Sequence, residues 1–344
     1  MPPLTTDAIN TLVENAFAPL KVQLRGDIHP IWAEDNWDSR KRFLQVAPAA
    51  RLATHLLRTV PAEFFCHLAL FGQLLSIDNE AIRQTNLKFE SRDRLDSVAK
   101  LGYNLDGYDQ HAFRAKLEEV AADIRHTVRP LPSDALADCI AMPKSWPGYT
   151  SRGSILIYDP EVIDALTHEG LSDDEKRAHI LRVACILLHE FAHAVVDWRM
   201  HGRVKEPFFE NSRIAEAGCE LESRLFGGHP DLRYTRGWRL SIKVHQYPTK
   251  EMMSSDYFIS KCRDPHNLPT GSGEWPMSPE LVRNLVEDEY WADKGRARDA
   301  AALVPKPLAH HIRQCFKAGK EPLVPSNVAG LFRGSWVRET DSRR

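Results

Sequence analysis

The chain has 344 residues, and its 45 lysines and arginines against 47 aspartates and glutamates leave a formal charge of −2, which supplies no global field for a polyanion such as nucleic acid. With 43% hydrophobic and 27% charged residues the composition is that of an ordinary globular protein, and no run of about 18 consecutive apolar residues is present to span a bilayer. The first residues carry Asp7 and Glu14 and no apolar h-region, so neither a secretory signal nor a transit peptide is read there, and a cytosolic or nuclear, non-secreted protein is expected.

Six cysteines lie tens of residues apart with no CxxC pair, the pattern of scattered reduced thiols. The length fits roughly two domains, or one large core with lobes. Residues 1–130 read as a helical N-terminal lobe, because apolar residues recur at three and four in segments such as Ala49 to Arg58 and Phe113 to Ile124. Its aromatic residues Trp32, Trp37, Phe64 and Phe65 read as core packing. A shift in composition at Arg129-Pro-Leu-Pro-Ser133 marks a boundary, after which residues 131–260 form the part that carries chemistry and residues 261–344 a helical or loop extension. The basic clusters Arg40-Lys-Arg42 and Arg343-Arg344 read as solvated faces.

Two β-like runs, Asp138 to Met142 and Gly153 to Tyr158, predict a small sheet, with Gly153 to Tyr158 as its exposed edge and the loop Pro143 to Arg152 at the rim. Ser172-Asp-Asp-Glu175 has the form of a capping box and predicts the start of a long helix, whose apolar stripe continues to Met200 and which Gly202 ends. Inside it stands His189-Glu-Phe-Ala-His193. Two histidines four apart on a helix project about 40° apart with about 6 Å of rise, so both imidazoles can reach one ion, and Glu190 can reach water beside it. The flanking stretches Cys185 to Leu188 and Ala194 to Val196 are apolar, a setting in which two histidines and a glutamate need a partner. His201, about 12 Å further along the axis, cannot share the ion and reads as a cap.

Ser212 to Gly228 reads as a second amphipathic helix closed by two glycines, with Glu216 and Glu220 four apart on one face. A carboxylate from this segment completes three protein ligands and leaves a fourth position open. Either glutamate can serve, and the bland alternative is a solvated face of Glu216, Glu220 and Glu222 paired with Arg213 and Arg224. His245, Tyr247 and Tyr257 follow, and His245 is a candidate for polarising a substrate carbonyl.

From residue 138 to 228 the sequence resembles the zincin metallopeptidases, and among them the gluzincins, in which HExxH is followed by an E-x-x-x-[D/E] helix. The longer run, with Glu216-Ala-Gly-Cys-Glu220 and its Phe-Gly-Gly ending, is also similar to metallopeptidase-like proteins of fungi. Val196 and Arg199 stand where a metzincin would have glycine and histidine. The resemblance implies an α+β, predominantly helical fold, with a zincin-like catalytic core built on a small antiparallel or mixed sheet and the HExxH helix. It implies Zn²⁺ held by His189, His193 and Glu216, with Glu190 as general base and Glu220, or else Asp197, as partner of a ligating imidazole. The expected function is hydrolysis of an amide bond in a peptide or small amide substrate. Two other readings stay open: an enzyme of the same fold that processes a small molecule, and a non-catalytic scaffold stabilised by zinc.

Overall fold

In the computed structural model α1 (Thr6–Ala16) precedes single 3-10 turns at Pro30–Trp32 and Glu34–Asn36. The structure describes residues 4–16, 24–77, 87–90, 110–132, 135–201, 205–210, 212, 214–235, 239–245, 256–263 and 274–292. Ser39 caps α2 (Arg40–Leu57) by accepting from the Arg42 N–H, and α3 (Val60–Phe71) has proline in its first turn, where no amide hydrogen is needed. β1 (Gln73–Ser76) pairs antiparallel with β2 (Leu87–Glu90).

After α4 (Gln110–Ala122) the chain forms β3 (Ile124–Val128), β4 (Ala137–Ala141) and β5 (Ser154–Tyr158). These make one sheet in the order β3-β5-β4, with β3 parallel and β4 antiparallel to β5. The expected edge is therefore corrected: β5 is the central strand and is buried at every residue, and β3 and β4 flank it as the edge strands. The reason is in the residues, since Ser-Ile-Leu-Ile-Tyr is apolar on both faces and Ala-Asp-Cys-Ile-Ala is not.

A short α5 (Pro160–Asp164) leads to α6 (Asp173–Met200), the 28-residue helix that carries HExxH. Its capping box is formed as the sequence predicts, Ser172 and Glu175 each satisfying the other's backbone N–H. His201 ends it in the left-handed region (φ 58°), and Gly202 lies outside the described residues. By length and composition α6 could cross a bilayer, but 78% of its apolar window is buried inside this fold. β6 (Phe208–Phe209) joins β2 in parallel. α7 (Ala217–Phe226) is shorter than the expected second helix, because Glu216 is its N-cap in extended conformation (φ −148°) and Ile214 bridges to Cys262. Gly227 (φ 73°) closes it.

β7 (His229–Thr235) and β8 (Arg239–His245) form a hairpin, α8 (Asp256–Ser260) follows, and β9 (Glu274–Pro276) pairs with β8. The described chain ends with α9 (Pro279–Leu285) and α10 (Asp288–Ala292). The whole is α+β.

Among the described residues one buried cluster draws on residues from Leu24 to Trp291 and so crosses the expected boundaries near residues 130 and 260. α2 and α3 pack on α6, and Trp32 meets Phe191 edge to face at 5.9 Å. β3, on the N-terminal side of the expected boundary, pairs with β5 beyond it. The N-terminal helices thus bury the back of the HExxH helix, and its front faces the sheet, α7 and the hairpin. Truncating a fully buried Phe191 in such a core costs about 3–5 kcal/mol.

Candidate metal centre

On α6 the residues Arg182, Ile186, His189, His193 and Asp197 are half-buried while most of their neighbours are fully buried. Their spacing of three and four puts them on one helical face, which forms the floor of a cleft of about 990 Å³. β4 makes one wall, and α7 with the β7–β8 hairpin makes the other.

His189 Nε2 and His193 Nε2 converge on a single oxygen, Oε1 of Glu216, at 3.3 and 3.0 Å. The three donors lie within 4.8 Å of one another. Their side chains are 20, 16 and 4% exposed, so the carboxylate is buried while both imidazoles reach the cleft. The other nitrogen of each imidazole is already held. His189 Nδ1 lies 3.1 Å from Glu222 Oε1, and His193 Nδ1 bonds Glu206. Only the Nε2 atoms are left to meet an ion, and a carboxylate behind each ring is the arrangement that fixes tautomer and orientation in metal sites. Two imidazole nitrogens and one carboxylate oxygen suit zinc. A second grouping of His189 with Cys219 and Glu222 also falls within 4.8 Å.

Backbone conformation sets this geometry. As N-cap, Glu216 accepts the Cys219 N–H through Oε2, which leaves Oε1 toward the histidines. Gly218 follows, and any Cβ there would overlap the His189 ring. Glu206, from the segment before β6, accepts the Ala217 N–H at 3.3 Å, and Lys261 Nζ stands 3.5 Å from the same oxygen.

Electrostatics follow from burial and close opposite charges. Burial works to lower the His189 and His193 pKa values, but the adjacent carboxylates more than reverse this and hold both well above the ordinary histidine range. For Glu216 burial works upward, and the two imidazoles overturn it and hold the carboxyl well below its ordinary value. Glu190 is buried, lines the cleft, and has its pKa raised by burial, with His189 and His193 opposing. Burial, aided by Glu206, raises Asp197 to about 6.

Of the residues singled out in the sequence, His189, Glu190, His193 and Glu216 come together. Glu220 does not join them: it bonds Arg224 at 2.8 Å, and Glu222 and Glu206 are the carboxylates behind the imidazoles. Asp197 lies beside Cys139 at 4.0 Å, on the cleft floor. His245 is buried outside the cleft lining, 3.5 Å from Asp231. The histidine in the cleft wall is instead His229, whose Nδ1 bonds the second oxygen of Glu222. Tyr257 also lines the cleft, and Tyr247 lies outside the described residues. The five described cysteines are thiols, and three of them, Cys139, Cys185 and Cys219, line the cleft with pKa values raised by burial.

Comparison with family models, with curated proteins and with solved structures gives no match to this chain.

Proposed function

We propose that this chain is a zinc-dependent hydrolase of the zincin type that cleaves an amide bond in an extended, peptide-like substrate. The observation that carries the reading is the convergence of His189 Nε2 and His193 Nε2 on Glu216 Oε1, with Glu190 beside them on the floor of an open cleft. A purely structural zinc site closes its fourth position with another protein group, whereas these donors face about 990 Å³ of cleft.

Zinc bound by these three residues supplies Lewis-acid polarisation of water and of the scissile carbonyl. Glu190 takes the proton of the attacking water and returns it to the leaving amine, a task that its burial-raised pKa favours. Glu222 and Glu206 keep the two imidazoles in register.

The edge strand supports an extended substrate. The bonds from Met142 N–H to Gly153 O (2.7 Å) and from Asp159 N–H to Leu136 O (3.0 Å) set the phase of the β4–β5 pairing. Asp138 and Ile140 therefore bond β5, and Ala137, Cys139 and Ala141 turn their N–H and C=O groups to the open edge. A peptide can add there as a further strand.

The test is Glu190→Gln assayed on a mixture of fluorogenic peptides, with zinc measured in parallel. Hydrolysis should fall by about 10²–10⁴-fold while zinc is retained. Cleavage at the wild-type rate would overturn the proposed role.

A further inference from the structure

The two imidazoles of the HExxH helix are not equally placed. His193 stands between two carboxylates, Glu216 at Nε2 and Glu206 at Nδ1. His189 has a thiol beside it as well: a ring nitrogen, Cys219 Sγ and a carboxylate oxygen of Glu222 lie within 4.8 Å of one another. Cys219 is a free thiol on the first turn of α7, three residues before Glu222, so the two are neighbours on one helical face. Cys219 and Glu222 are buried, and all three residues line the cleft.

The two donor sets differ in kind and share one residue. Two imidazole nitrogens and a carboxylate oxygen suit zinc, whereas a thiolate is a soft ligand that selects soft cations such as Cu⁺, and Cd²⁺ has the same preference. His189 belongs to both sets. A neutral imidazole carries a lone pair on one nitrogen and a proton on the other, so without losing that proton the ring serves one ion at a time. Whichever nitrogen keeps the proton has an acceptor, because Glu216 Oε1 stands 3.3 Å from Nε2 and Glu222 Oε1 stands 3.1 Å from Nδ1. Gly218, next to Cys219 in the chain, packs against the same ring and holds the thiol's helix close to it.

We propose that His189, Cys219 and Glu222 form a second, thiophilic metal site, which takes a soft cation of the Cu⁺ or Cd²⁺ class in exchange for zinc. The step is a ligand exchange with no change of oxidation state. Zinc leaves His189, a sulfur–metal bond forms at Cys219, and the thiol proton passes to solvent, as a coordinating thiol gives up its proton. The inference goes beyond the hydrolase reading and rests on it only in naming zinc as the ion displaced. Cys185, a cleft thiol one turn before His189 that the Glu222 charge reaches, is the competing source of sulfur.

The test titrates the zinc-loaded full chain with cadmium chloride and needs no turnover. Two quantities are read: the ultraviolet charge-transfer absorbance of a thiolate–cadmium bond, and zinc in the ultrafiltrate. The band should rise in step with zinc release. Cys219→Ser should abolish the band, and Cys139→Ser, which removes a cleft thiol on β4, should leave it unchanged. Glu216→Gln alters the zinc set alone and should keep the band. No thiolate band in the wild-type protein, a band that survives Cys219→Ser and so belongs to another thiol such as Cys185, or a band that forms while zinc is fully retained overturns the inference and leaves the hydrolase reading standing. A protein that takes up no zinc at the outset overturns the hydrolase reading, and the band with its loss in Cys219→Ser still decides the thiophilic site.

Discussion

Gly218 lies against the His189 imidazole so closely that a Cβ at position 218 would stand 2.4 Å from both Nε2 and Cδ2 of the ring. Near the start of α7 alanine is otherwise the better helix former by about 1 kcal/mol. Gly218→Ala should nonetheless lower zinc affinity, because the atoms displaced belong to a ring held at Nδ1 by Glu222 rather than to a flexible side-chain end. Equilibrium dialysis against zinc buffers checks this. An affinity equal to wild type would show that the ring can move without loss.

The carboxylates behind the imidazoles separate Glu222 from Glu220. Removing such a partner typically costs 10–100-fold in metal affinity, so Glu222→Gln and Glu206→Gln should each weaken zinc binding by about that factor. Glu220→Gln should leave it near wild type, since Glu220 bonds Arg224 and not an imidazole. The same zinc titration, run on all three variants, ranks them.

Acid stability has a source away from the metal. His126 is buried between Trp37, stacked at 4.6 Å, and Tyr158, whose hydroxyl lies 3.0 Å from Nδ1. Burial lowers its pKa from 6.5 to about 4, against the opposing bond to the Ile31 carbonyl and with a smaller downward contribution from Arg125. Between those values the unfolded chain binds the proton and the native protein does not, so stability falls as pH falls through this window and levels off below it. The contribution is about 3 kcal/mol at 1.36 kcal/mol per pKa unit. His29, His55 and His179 are lowered in the same direction by burial. In urea unfolding at pH 7 and pH 4, His126→Gln should therefore show a smaller loss of stability than wild type. An equal loss in both proteins would remove His126 from the account.

The HExxH helix was legible in the sequence because its signals are local: a capping box at Ser172 and Glu175, then an apolar stripe around the two histidines. Spacing and the resemblance point to Glu216, but not to its conformation. Reading the helix from Ser212 placed Glu216 and Glu220 on one face, whereas Glu216 is the N-cap and lies outside that periodicity. Glu206 and His229 sit in segments without periodicity, before β6 and after the Gly227-Gly228 turn, so no spacing rule pointed to them. The central strand is marked in its residues: Ile155 to Tyr158 is apolar throughout, while β4 carries Asp138.

The most direct test of the central claim is zinc analysis of the purified protein combined with X-ray absorption at the zinc edge. The account predicts about one zinc per chain, with imidazole nitrogen and carboxylate oxygen at about 2.0–2.2 Å and no sulfur, and loss of the ion in the His189→Ala, His193→Ala double variant. Absence of zinc, its full retention in that variant, or a sulfur neighbour at about 2.3 Å, which would place the ion at Cys219, would contradict it.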